Sequence, residues 1–352
     1  MQIGLIGLPQ VGKTTLFELM TGLRDRSSVG KASVGMARVP DTRIDKLSAM
    51  YKPKKTTYAQ IEVVDIPGLI PSSDKGASGF LAAVRDADAL IHVVRAFDSE
   101  EVPHVEGSIN PVRDLELVEY ELLLADLDLV EKRIQRIKDG KKVKPEQAQE
   151  LELLAKIKDG LENEKRLSEL GISDAEWQTL TAYQFLTDKP MVLAINVSED
   201  ALNDYPGREE LQAYTAARNI PMVEISARIE AELAELSTEE REVFMQDLGI
   251  NEPGMDRIMR TLYHRLGLIS FFTVGEDEVR AWTINQGTNA RKAAGKIHSD
   301  LERGFIRAEV VGSSDLLRLG SMGKARDEGL VRLEGKEFIV QDGDIMHVRF
   351  NV

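Results

Sequence analysis

Cysteine is absent from the 352 residues, which excludes disulfides, thiolate metal sites and a cysteine nucleophile. No run of eighteen apolar residues occurs, so nothing in the chain reads as a membrane-spanning helix. A charged-then-apolar leader with a cleavage site is also missing, and the expected address is the cytoplasm. Basic surplus is lacking too. The formal net charge of −14 argues against the whole surface being a nucleic-acid footprint, while leaving room for a local basic patch. Histidines spaced i, i+4 with a glutamate are absent, as is a Gly-x-Ser-x-Gly elbow, so neither a zinc site nor a serine hydrolase is read. What is present, 42 % hydrophobic and 30 % charged residues, describes a globular protein of two or three domains.

Residues 7–14 read Gly-Leu-Pro-Gln-Val-Gly-Lys-Thr, a complete Gly-x-x-x-x-Gly-Lys-Ser/Thr pattern, directly after the apolar Ile3, Leu5 and Ile6. A buried strand therefore feeds a glycine loop, and a helix is expected from Thr14 to Met20. The amides of such a loop, here Pro9 to Thr15 (Pro9, Gln10, Val11, Gly12, Lys13, Thr14 and Thr15), surround phosphate oxygens at the positive end of the helix; proline contributes only its carbonyl and ring. Lys13 reaches the β- and γ-phosphates, and the Thr14 hydroxyl holds Mg²⁺. Further on, Asp65-Ile66-Pro67-Gly68 ends another apolar strand. Asp65 would hold Mg²⁺ through water and the Gly68 N–H would meet the γ-phosphate. The next residue is Leu69, so a water-orienting glutamine is missing.

Apolar runs at 61–66, 90–95, 191–196 and 221–226 alternate with helical stretches, which predicts a mainly parallel, doubly wound α/β sheet. Gly7, Asp65, Asn196 and Ser226 all fall at the carboxyl ends of these strands, where such sheets bind ligands. Between them, Leu115, Val118, Leu122, Ala125 and Leu129 keep a 3-4 spacing; Leu151, Leu154, Ile157 and Leu161 carry the return. That pattern predicts an inserted antiparallel helical hairpin. Its turn holds Lys132, Arg133, Arg136, Lys138, Lys141, Lys142 and Lys144 against Asp139 alone, either a solvated tip or a phosphate contact. Strand-like runs at 270–274, 279–284, 305–310 and 345–350 with a short helix at 290–297 predict a small α+β module at the C-terminus.

These residues resemble the YchF, or Obg-like ATPase, subfamily of the Obg family of P-loop GTPases. The likeness is carried by Gly-Leu-Pro-x-Val-Gly-Lys-Thr-Thr-Leu-Phe, Asp-Ile-x-Gly-Leu, His-Val-Val-Arg-Ala-Phe and Asn-Pro at 110–111. Asn-Val-Ser-Glu at 196–199, Phe-Met-Gln-Asp-Leu-Gly at 244–249, Val-Arg-Ala-Trp-Thr-Ile at 279–284, the stretch 294–308 and the terminal Phe-Asn-Val add to it. The resemblance implies a G domain over 1–114 and 190–266, a coiled-coil arm over 115–189, and a C-terminal TGS domain of ubiquitin-like β-grasp fold over 267–352.

It also implies an Mg²⁺-dependent nucleoside triphosphatase, with ATP preferred over GTP. The guanine-reading Asn-Lys-x-Asp is replaced by Asn196-Val197-Ser198-Glu199, which removes the lysine and lengthens the acid by one methylene. Asn196, Val197, Glu199, Ser226 and Ala227 would surround the base, with Asn196 and nearby backbone matching adenine. His104 falls where the family places its proposed water-positioning histidine. A regulatory role at the ribosome or ribosomal RNA in translation or stress response follows, through the basic arm tip and the TGS domain, in a monomer or weak oligomer. Two departures stand out. Residues 27–39 lack the switch threonine, leaving Ser28 or Ser33, and the glycine-rich stretch after Gly68 is shortened to 75–81, so turnover is expected to be slow. A nucleotide-gated binding module without hydrolysis, a strict GTPase and a small-molecule kinase are the competing readings.

Overall fold

The computed structural model describes residues 1–23, 32–70, 74–140, 144–202 and 204–351. Its first sheet contains β1 (Gln2–Ile6), β2 (Ser33–Arg38), β4 (Gln60–Asp65), β5 (Ala89–Ala96), β6 (Met191–Val197) and β7 (Met222–Ile225), with β3 (Lys55–Thr57) lying elsewhere. The strand order is β2-β4-β1-β5-β6-β7, and β1 pairs in parallel with both β4 and β5. Every residue of β5 and β6 is buried, as expected for central strands of a sheet covered on both faces. Around this sheet run α1 (Lys13–Thr21), α3 (Asp74–Asp86), the start of α4 (Pro111–Lys138), α7 (Arg208–Ala217) and α8 (Ala227–Glu235); α2 (Thr42–Tyr51) belongs elsewhere.

The arm is α4 returning through α5 (Pro145–Glu162) and the short α6 (Asp174–Leu180). Its first helix starts at Pro111, four residues before the expected boundary at 115, because Asn110 caps it: the Asn110 side chain accepts from the Arg113 N–H at 3.1 Å and Pro111 occupies the first turn. Val130, Ile137, Leu154, Ile157 and Leu161 form the seam between the helices. The carboxylate of Asp126, fully buried, accepts from the Leu186 N–H at 3.0 Å, the Thr187 N–H at 2.8 Å and the Thr187 hydroxyl at 2.8 Å. That staple ties the arm's outgoing helix to the chain where it re-enters the sheet.

The basic turn is less bare than its local sequence suggests. Arg133 is bound bidentately by Glu150 of α5 at 2.8 and 2.9 Å, and Lys132 pairs with Asp128 at 2.6 Å. Lys141 and Lys142 lie outside the described residues.

A second sheet, ordered β11-β10-β12-β8-β9-β3, is built from β8 (Leu268–Thr273), β9 (Glu278–Asn285), β10 (Phe305–Gly312), β11 (Arg332–Glu334) and β12 (Asp344–Phe350), together with β3. Helix α11 (Ala290–Ile297) buries Ala290, Ala293 and Ala294 against Phe271, Ile284 and Val310. Outside this sheet are α9 (Thr238–Asp247) and α10 (Gly254–Arg265).

The chain divides into two compact units, Met1–Gly35 with Glu62–Met255, and Met36–Ile61 with Asp256–Val352. Segment 36–61, expected within the G domain, therefore groups with the C-terminal module. The cause is concrete. Strand β3 pairs in parallel with β9, Lys55 opposite Glu278, and Arg43 of α2 binds Asp41 at 2.8 Å and Asp342 at 2.7 Å.

Candidate nucleotide-binding site

The loop between β1 and α1 is shaped by two glycines that no other residue replaces. Gly7 has φ +140°, and a Cβ there would lie 2.3 Å from the Val93 carbonyl oxygen. Gly12 has φ +99°, and its Cβ would lie 2.4 Å from Asn196 Nδ2. Gly12 also caps α1 without offering a side-chain acceptor. The first-turn N–H groups, which have no partner within a helix, stay available to an anion.

Lys13 is only 6 % exposed, and its ammonium donates to the carbonyls of Leu8 at 2.7 Å and Gly7 at 3.2 Å. Burial lowers its pKa to about 8, with the Asp65 carboxylate pulling the other way. The Thr14 hydroxyl donates to Asp65 Oδ2 at 2.6 Å, so residues 51 positions apart converge on one point. Burial raises the Asp65 pKa, opposed by that hydrogen bond and by Lys13. A hydroxyl and a carboxylate beside a phosphate loop form the hard oxygen donor set that Mg²⁺ takes. The donor chemistry fits the ion.

Gly68 lies close against the loop, where a Cβ would fall 2.7 Å from Pro9 N, and the neighbouring Leu69 N–H donates to the Gly7 carbonyl at 3.1 Å. The Leu69 side chain is fully buried and so orients no water.

Beside the loop opens a cleft of about 520 Å³, lined by Gly12 and Thr15, by Asn196, Val197 and Glu199, and by Ser226 and Ala227. These expected base-side residues come together. The Asn196 amide, however, is already engaged: Nδ2 donates to the Val11 carbonyl at 3.1 Å and Oδ1 accepts from the Ala227 N–H at 3.0 Å. Asn196 thus ties the phosphate loop to the α8 loop and lines the cleft as a brace. Ser226 caps α8, accepting from the Ile229 N–H at 3.4 Å. Glu199 pairs with Arg228 at 2.5 Å.

Sequence reasoning missed one wall of this cleft, Phe97, Asp98 and Ser99. The available signal was position, since these residues follow the carboxyl end of β5.

His104 has other partners than the loop. Its Nδ1 accepts from the Glu106 N–H at 3.1 Å, and Nε2 lies 2.8 Å from Asp114 Oδ2 at the base of α4. Among the described residues no hydrogen bond or ion pair joins His104 to Thr14, Asp65 or Gly68. His92 is a buried residue of β5 whose pKa burial lowers to about 3, a neutral core side chain. Of the switch serines, Ser28 lies outside the described residues and Ser33 begins β2.

A family model described as "50S ribosome-binding GTPase" matches residues 2–127, and a YchF-GTPase C-terminal model, described as a protein of unknown function, matches 268–351. The ribosome-binding ATPase YchF of Bacillus subtilis is 43 % identical over 361 residues, covering 99 % of both chains. The chain belongs to the YchF family. The YchF protein of Haemophilus influenzae is 41 % identical over 358 residues, again covering 99 % of each chain. The structure of the Schizosaccharomyces pombe YchF GTPase superposes with a TM-score of 0.87 at 30 % identity, covering 99 % of this chain and 97 % of that one. As a YchF family member with an intact phosphate loop, the chain is a P-loop nucleoside triphosphate hydrolase. No helix among the described residues is long and apolar enough to cross a membrane.

Proposed function

We propose that the chain hydrolyses ATP in preference to GTP, with Mg²⁺, as a slow regulatory switch at the ribosome in translation or stress response. The observation that carries the base preference is the Glu199–Arg228 pair. In a guanine-reading site the acid accepts two base N–H donors; here its carboxylate faces a guanidinium at 2.5 Å on the lip of the cleft. Both side chains are largely solvent-exposed, so the pair contributes modestly and GTP stays a weaker alternative substrate.

Within the site, the first-turn amides of α1 and the Lys13 ammonium bind and orient the phosphates, and the Gly68 N–H meets the terminal one. Thr14 and Asp65 would hold the metal, Asp65 through water. When bound, Mg²⁺ neutralises charge developing on the phosphate oxygens. With Leu69 buried, the attacking water is left to backbone, to another side chain or to a partner, which supports slow intrinsic turnover.

Competition titration with labelled ATP and GTP tests the preference. ATP should bind more tightly, and Arg228→Ala, which frees Glu199, should narrow the gap; tighter GTP binding by the wild type would overturn the reading. Phosphate release separates a hydrolase from a nucleotide-gated binding module, because turnover equal to that of Lys13→Ala would favour the latter. For the ribosome, support comes from the names of the relatives, and the candidate contacts are the arm tip and the C-terminal module. Co-sedimentation that survives charge reversal at Lys141, Lys142 and Lys144 would exclude the tip. A cytoplasmic monomer or weak oligomer accords with this role.

A further inference from the structure

Arg95 is a charged side chain only 1 % exposed at the end of β5, in register with Asn196 of β6. Such burial is unfavourable unless the guanidinium's donors are used. Its Nε donates to the Phe97 carbonyl at 3.0 Å and Nη2 to the Val102 carbonyl at 2.8 Å, while Cζ lies 4.3 Å from the Phe97 ring centroid. Nη1 is buried without a partner among the described residues. An apolar residue would suit this strand position better, so what arginine adds is a rigid fork that grips one loop at two carbonyls. That loop supplies Phe97, Asp98 and Ser99 to the cleft beside the phosphate loop. Connecting segments are mobile unless tied down, and here a buried side chain ties the loop to the sheet, beside the loop's own bond from the Val102 N–H to the Ser99 hydroxyl at 3.3 Å.

We propose that Arg95 is a positioning residue for nucleotide binding: by clamping Phe97 and Val102 it fixes the cleft wall against which the base of the bound nucleotide packs. This rests on the reading of the cleft as the base site. Its hydrogen bonds go to Phe97 and Val102 and none is made to the phosphate-binding loop, so the effect falls on the base half of the ligand.

The test compares ATP with inorganic tripolyphosphate, both with Mg²⁺, by calorimetry, and adds steady-state kinetics. Arg95→Lys should weaken ATP about tenfold, the loss of about one net hydrogen bond, with tripolyphosphate affinity unchanged. KM should rise by a similar factor and kcat should move less. Phe97→Leu, which keeps the buried charge, should reproduce the split, and the double variant should lose little more than either single one. If Arg95→Lys fails to fold, Phe97→Leu carries the test alone. Equal loss on both ligands, or an ATP advantage that survives Phe97→Leu, overturns the proposal. Wild type that binds ATP no better than tripolyphosphate overturns the underlying reading of the cleft instead.

Discussion

Raising the pH from 7 to 9 should weaken triphosphate binding through one side chain, Lys13. Burial holds its pKa at about 8 in the free protein, against 10.5 for an ordinary lysine. Only the ammonium form can pair with phosphate, so the dissociation constant scales as one plus ten to the power of pH minus pKa. With a pKa of about 8, the penalty is about 1.1-fold at pH 7 and about elevenfold at pH 9. Stability moves the other way. The folded-state pKa is depressed, so the cost of burying the ammonium is fully present below pH 8 and is relieved as pH rises from about 8 towards 10.5. In that window the unfolded chain binds more protons, and the ligand-free protein gains relative stability, by at most about 3 kcal/mol from this group. Calorimetric titrations with a non-hydrolysable ATP analogue between pH 7 and 9, beside Lys13→Ala, read the first effect; urea midpoints of the ligand-free protein read the second. An affinity flat across this range, or the same slope in Lys13→Ala, would refute the reasoning.

Three other perturbations have defined outcomes. Asp126→Ala leaves two backbone N–H groups and the Thr187 hydroxyl buried without their acceptor, and should destabilise by about 3 kcal/mol, at about 1–3 kcal/mol per orphaned donor, read from the denaturant midpoint; a loss below about 1 kcal/mol would remove the staple role. Gly12→Ala places a methyl 2.4 Å from Asn196 Nδ2 at φ +99°, and should abolish nucleotide binding with the circular dichroism spectrum unchanged. Thr14→Val removes the hydroxyl that meets Asp65 and should erase the magnesium dependence of ATP affinity while affinity in EDTA stays the same; a retained magnesium response would show that Thr14 holds no metal.

Much of the site was legible because its determinants are local. Gly7, Gly12, Lys13 and Thr14 sit within one turn of strand-loop-helix, and Asp65 and Gly68 share a second such turn. Local spacing also revealed the hairpin arm and the strands of both sheets other than β2, β3 and β11. What escaped depends on partners distant in sequence. The Lys55-Thr56-Thr57 strand has no apolar pattern, and its pairing with Glu278 to Arg280, with the Arg43–Asp342 ion pair, is what joins segment 36–61 to the C-terminal unit. The arm turn looked unopposed because Glu150, which binds Arg133, lies on the other helix. Asn110-Pro111 served only as part of the family likeness, and its role as a helix cap emerged from the hydrogen bond that Asn110 accepts from the Arg113 N–H. The approach of His104 to Asp114, ten residues on at the base of α4, was also not readable from sequence. Likewise, Asn196 was placed correctly at a strand end, yet its amide spans Val11 and Ala227 rather than standing free for a base.

The central claim is that the β1–α1 loop, with Lys13, Thr14 and Asp65, holds the phosphates of a nucleoside triphosphate. Calorimetric titration of ATP with magnesium into wild type and Lys13→Ala at pH 7 tests it most directly. One site per chain is expected in the wild type and at least about a hundredfold weaker binding in the variant, from loss of a charge-assisted contact worth about 3 kcal/mol. Equal affinities, or no heat from the wild type with either ATP or GTP, would contradict it.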